Sequence, residues 1–186
     1  MYFAPAMIRS AVFLVLMSCT NVSADERFQY DQIELGIGDI RVALEANSGW
    51  LIEPVLNETR RDLVDKYAIS DNAIAIIHHT LDEFVLAEIS FKQFPASVSV
   101  TEMLNSMLEH FSKQETTQLI STSNGVSIQQ HFQDGTKMHS FITGGRGVKS
   151  VYLFDVSIHW DDNSTIMNTS REIEPPVQLD VTVTER

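Results

Sequence analysis

Three short stretches of this 186-residue chain set histidines and carboxylates at spacings that chemistry can use. In "HHTLDE", the side chains of His78, His79, Asp82 and Glu83 offer potential metal ligands within one turn of chain. Successive residues of a regular strand point to opposite faces, so His78 and His79 cannot both bind one ion, although either can meet Asp82 or Glu83 at the turn. A structural zinc ion asks for four ligands in a tetrahedron, and a solvated polar strand end is the expected state here. In "HWDD", His159 stands beside Asp161 and Asp162. Calcium asks for roughly six to eight oxygens, and an Asp-Asp-Asn run also serves turns and helix caps, so a turn is the expected reading. A metal site would need His79, Asp82, His159 and Asp161 to converge.

His131 and His139 flank Asp134-Gly135, a strong hairpin signal. With a two-residue loop Gln130 pairs with His139, the two histidines take opposite faces, and His139 joins Ile128, Phe132 and Phe141. A three-residue loop would set the histidines opposite one another. The expected state of His139 is a half-buried, hydrogen-bonded imidazole. The chain holds no G-x-S-x-G, S-x-x-K or H-E-x-x-H pattern. "GGRG" (Gly144–Gly147) lacks the Lys-Ser/Thr of a phosphate loop and reads as a flexible hairpin tip, which offers Arg146 as a contact for a partner. No catalytic residue and no cofactor follows from these patterns.

The N-terminus restricts the chemistry further. Arg9, the apolar run Ala11–Met17, and the small residues Val22 and Ala24 stand in the order of a secretory signal peptide covering residues 1–24. Met7 is an alternative start. "LMSC" is similar to a lipobox, which would end the leader at residue 18 and make Cys19 a lipid anchor; both cut sites stand open. Cys19 is the single cysteine, so a chain cut at Ala24 has no disulfide, thiolate nucleophile or cysteine-bound metal. Its remaining residues 25–186 suffice for one hydrophobic core. A net charge of −12 repels nucleic acid and anionic lipid and favours cationic partners.

The elements that must position these residues follow from periodicity. Strands are expected at "RFQYDQIEL", "IRVALEA", "NAIAIIHH" and "FVLAEISFK", with a helix over Glu53–Ser70 between the second and third. In "FVLAEISFK", Val85, Ala87, Ile89 and Phe91 form a dry row, and Leu86, Glu88, Ser90 and Lys92 a wetter one. Ser99 and Glu102 make a capping box ahead of an apolar stripe, Val100, Met103, Leu104, Met107, Leu108 and Phe111, which reads as a helix packed on a core. A four-stranded meander follows, then a short helix and an extended C-terminal tail. The order predicts an α+β fold: a single-domain sandwich with a central antiparallel sheet flanked by helices.

A strand that ends in Gly49-Trp50, then a hairpin, a capped helix, a meander and a closing helix together resemble the PsbP-like fold over residues 28–175. Ala46-Asn47-Ser48 stands where that family often carries a proline. The family contains extrinsic photosystem II subunits and bacterial envelope lipoproteins. The resemblance implies a non-catalytic protein that works through protein partners.

The expectation is therefore a non-enzymatic bacterial envelope protein, periplasmic or lipid-anchored. It would bind another protein, a basic one by charge, as an accessory subunit or as a toxin-neutralising immunity protein. The alternatives are a periplasmic protein that binds a small ligand or divalent metal, and a hydrolase whose site no sequence motif marks.

Overall fold

Alternating apolar residues build most of this protein. A computed structural model describes residues 12–15, 29–111, 117–122, 125–170 and 172–184. The chain runs β1 (Val12–Val15), β2 (Gln32–Ile37), β3 (Ile40–Ala46), β4 (Trp50–Pro54), α1 (Arg60–Tyr67), β5 (Ala73–His79), β6 (Val85–Pro95), α2 (Val100–Phe111), β7 (Thr117–Thr122), β8 (Gly125–His131), β9 (Lys137–Arg146), β10 (Ser150–Trp160), α3 (Thr165–Thr169) and β11 (Val177–Val183). The pairings are antiparallel. The result is one sheet-rich α+β domain.

The strands divide into two sheets rather than one central sheet. The smaller runs β1-β2-β3-β11 and the larger β4-β5-β6-β10-β9-β8-β7. Ile33, Leu35 and Ile37 of β2 and Val42 and Leu44 of β3 share one core with Ile77 of β5, Ile89 of β6, and Tyr152, Phe154 and Ile158 of β10. The helices do not flank a central sheet on both sides. α1 and α2 both lie on the outer face of the larger sheet, and the smaller sheet covers its inner face. Leu63 of α1 packs with Val55, Ala73 and Ile76. Met103, Leu104, Met107 and Leu108 of α2 pack on Val126, Ile128, Ile142 and Leu153, so the stripe is core, as its one-sidedness suggested.

Three local expectations are corrected, and the loop length left open between β8 and β9 is decided. The helix expected over Glu53–Ser70 shrinks to Arg60–Tyr67, because Trp50–Pro54 pairs with β5 from Trp50↔His79 to Pro54↔Ala75. The extended tail is β11, which pairs with β3 from Val177↔Ala46 to Val183↔Ile40. Gly144 and Gly145 belong to β9 and not to a flexible tip. A β-carbon at Gly144 would overlap Val100 of α2, and one at Gly145 would stand 3.0 Å from Val181 of β11. The β8–β9 loop has three residues, since Phe132 N–H donates to Thr136 O and Gly135 takes φ +88°. The candidate leader, residues 1–24 with Cys19, lies outside the described residues apart from the backbone pairing of Val12–Val15 with β2.

One carboxylate fastens the two sheets at an end. The β2–β3 turn places Gly38 at φ +62°, a conformation glycine tolerates, and presents Asp39 to the β9–β10 turn. Asp39 Oδ1 accepts the Tyr152 hydroxyl and Oδ2 the Lys149 N–H, both at 2.7 Å. Desolvation opposes ionisation of Asp39, but the Lys149 N–H and the Tyr152 hydroxyl outweigh it and hold its pKa below the ordinary carboxylate value. Tyr152 is fully buried. Removing its acceptor with Asp39→Ala should cost about 1–3 kcal/mol in chemical denaturation at neutral pH. A carboxylate with a depressed folded pKa adds stability above its unfolded value and loses it as pH falls through the folded one. The deficit of the variant should therefore shrink in strong acid; an unchanged stability at neutral pH would show that Asp39 is not a fastener.

Candidate functional site

The residues singled out for chemistry gather at the end of the larger sheet where β5 turns into β6. An open depression of about 700 Å³ there is lined by Tyr67, His79, Phe84, His159, Trp160 and Asp161, among others. Hydrogen bonds at its rim engage three of the four predicted ligands, His79, Asp82 and Asp161. His79 Nδ1 accepts the Leu81 N–H at 3.2 Å, and its ring meets Trp50 edge-on at 4.8 Å. Asp82 is buried; Oδ1 accepts the Phe84 N–H at 3.1 Å and Oδ2 the Ser164 hydroxyl at 2.9 Å. Ser164 in turn caps α3 by accepting the Met167 N–H. Asp161 accepts the backbone N–H of Asn163 at 2.8 Å and its side-chain amide at 3.0 Å, the turn chemistry expected of it.

His78 and His79 fall on opposite faces, as strand alternation requires. His78 Nε2 lies 2.7 Å from Glu53 Oε2 beneath α1, with Tyr67 edge-on to its ring. His159 is half-buried on the outer face, and desolvation lowers its pKa against the opposing charge of Glu88. Among the described residues no three His, Cys, Asp or Glu side chains gather as a metal site. His79, Asp82, His159 and Asp161 thus share a neighbourhood without converging on a point. Arg146 is exposed at the last position of β9, opposite Val151.

The same end carries what residue-type reasoning missed. Leu81 is 83% exposed and Phe84 48% exposed, both on the turn that Asp82 clamps. The β8–β9 turn at this end adds Phe132, 45% exposed. Glu83, Asp161 and Asp162 surround them with negative charge, although Asp162 accepts a hydrogen bond from Lys137 Nζ at 2.7 Å. That hydrogen bond and the ammonium charge lower the pKa of Asp162. "TLDEF" carried the signal: two large apolar residues in a tight turn have no sheet face on which to hide.

The register also decides His139. It stands opposite Gln129, and His131 opposite Lys137, so both histidines share a face two residues apart rather than facing one another. That face is the inner one: His139 pairs with Ile158, stacks on Phe141 at 4.4 Å and is hydrogen-bonded through Nε2 to Ser127, while Ile128 is on the other side. His139 is 5% exposed, and its Nδ1 has no hydrogen-bond partner among the described residues.

Desolvation lowers the His139 pKa to about 4. The unfolded chain therefore takes up this proton first as pH falls, and stability present above about pH 6.5 is lost down to about pH 4, on the order of 3 kcal/mol. Comparing wild type with His139→Gln by denaturation across this range isolates the effect from His159, which shifts the same way. A variant with the same slope would remove His139 from the account.

No protein-family model, curated protein or solved structure matches the chain. The strand expected to end in Gly49-Trp50 is two strands, β3 stopping at Ala46 and β4 opening at Trp50.

Proposed function

We propose that this chain is a non-enzymatic binding protein of the bacterial envelope, an accessory subunit or a toxin-neutralising immunity protein. It meets a basic protein partner with the β5–β6 end of its larger sheet. The observation that carries this reading is the presentation of Leu81 and Phe84 in solvent on a turn stitched down by Asp82, Ser164 and His79. An apolar pair on a pre-ordered turn loses little conformational freedom when it docks. Anchors of this kind, at the centre of a contact, supply most of the affinity in protein interfaces. The acids around them and the net charge of −12 match a basic surface and speed its approach. Export is the part of the proposal that rests on the leader-like N-terminus; among the described residues no helix is long and apolar enough to cross a membrane.

The test is capture. Tagged wild type and a Leu81→Ser/Phe84→Ser variant would be cross-linked mildly in envelope extracts of the native host, and the captured proteins identified by mass spectrometry. Because both side chains are exposed, the variant should melt as wild type does. One stoichiometric basic partner is expected with wild type and its loss with the variant. Equal capture by the two, or no partner for a folded and abundant wild type, overturns the proposal.

A further inference from the structure

The outer edge of β2 carries a strand that export takes away. Ala46 N–H donates to Asp31 O at 2.7 Å, so Asp31 turns its backbone groups toward β3. Hydrogen-bonded and non-hydrogen-bonded pairs alternate along antiparallel strands. Ile33, Leu35 and Ile37 therefore also bond toward β3, while Gln32, Glu34 and Gly36 direct their N–H and C=O groups to the other edge. Tyr30 obeys the same alternation: its N–H and C=O bond to Ile52 of β4, each at 2.8 Å. Further along that edge β1 is seated antiparallel, with Val15↔Glu34 and Phe13↔Gly36 as the hydrogen-bonded pairs.

Val12–Val15 fall within the leader whichever of the two cut sites is used, so processing removes β1 and keeps β2. β2 does not depend on β1 to remain a strand. β3 pairs with it from Gln32↔Glu45 to Ile37↔Ile40, and Ile33, Leu35 and Ile37 are buried in the core. Glu34 and Gly36 then lose the main-chain partners that β1 gives them, on an edge that is already in place. Proline and lysine are the usual guards of such an edge, and "QIELGI" holds neither. Its one charge, Glu34, is paired with Arg41 of β3 at 3.3 Å. β4 stands against the same edge at Tyr30, so a single added strand fits beside it, whereas the whole sheet of a second copy would meet β4.

We propose that the processed chain binds an extended apolar segment of a protein partner as an added strand on β2, antiparallel and in the place of β1. The backbone groups of Glu34 and Gly36 bond it, and main-chain hydrogen bonds of this kind supply the affinity in strand addition. The chemistry of the occupant is that of the segment the edge holds before processing, four apolar residues without a proline. The inference rests on the export part of the function proposed above and not on Leu81 and Phe84.

The test uses the chain purified from the envelope of its host, its N-terminus read by mass spectrometry. The probe is a peptide of the sequence AVFLVLM with two lysines at each end for solubility. An N-terminus beyond Val15 and saturable binding in calorimetric titration are expected, with amide exchange slowed at Glu34 and Gly36. A peptide N-methylated at the residues equivalent to Phe13 and Val15 keeps the charge and the side chains but loses both donors. It should bind at least about tenfold more weakly. A chain that retains Val12–Val15 overturns the proposal, and the export reading with it. No saturable binding by a processed chain, equal binding of the methylated peptide, or protection elsewhere than β2 overturns the proposal alone and leaves capture through Leu81 and Phe84 standing. So does a dimer in sedimentation whose Glu34 and Gly36 amides exchange slowly before any peptide is added, which assigns the edge to a second copy.

Discussion

The two faces of β10 govern this structure. The strand is paired along both edges, with β6 from Ser150↔Pro95 to Trp160↔Val85 and with β9 from Val151↔Arg146 to Trp160↔Lys137. Its inward row, Tyr152, Phe154, Val156, Ile158 and Trp160, is buried and unites the two sheets in one core. Burying that row is worth on the order of 2 kcal/mol per side chain relative to exposure, so the smaller sheet has a strong reason to lie where it does. Asp39 then sets its position along the strand direction, because the buried hydroxyl of Tyr152 needs an acceptor at that end.

The outward row is divided, and the division organises the other face. Leu153 calls for cover, and α2 supplies it with Met103, Leu104, Met107 and Leu108. Two features hold that helix in place: Ser99 Oγ accepts the Glu102 N–H at 3.3 Å at its start, and the missing side chain of Gly144 lets Val100 approach β9. Asp155 and Ser157 could not lie under an apolar stripe without losing more in desolvation than they gain. α1 stays over β4 and β5, where Val55, Ala73 and Ile76 are apolar. The space between the helices is thus a consequence of the polar half of β10, and polar groups in mid-sheet persist there because they hydrogen-bond with each other.

The two ends of the larger sheet differ in what they hold. At one, Asp39 joins sheet to sheet. At the other, Asp82 does a similar job between the β5–β6 turn and the cap of α3, and this stiffness leaves Leu81 and Phe84 outside rather than folded back. Hydrogen-bonded carboxylates at both ends, half-buried Asp39 and buried Asp82, make these turns rigid parts of the fold. The histidines are likewise engaged by structure: His78 by Glu53, His79 by Trp50 and the Leu81 N–H, His139 by Ser127 and Phe141.

Whatever depends on neighbours a few residues apart was legible in the sequence. β3 is Ile40–Ala46, as its alternation states; α2 carries its start in Ser99 and its buried side in its stripe; β6 separates a dry row from the wetter row that holds Glu88. These are local periods, and local sterics and hydrogen bonds enforce them. Tertiary structure decided what depends on pairing between distant segments. Glu53-Pro54, read as the start of a helix, joined the strand Trp50–Pro54 because β5 offered a partner, and the tail became β11 because β3 had a free edge. One residue of loop length turned His139 to the inner face, since side chains alternate with every step of register. Whether Asp155, Ser157 and Glu88 would be covered or left open could not be read from any one strand, because the gap belongs to two helices that only the folded sheet brings side by side.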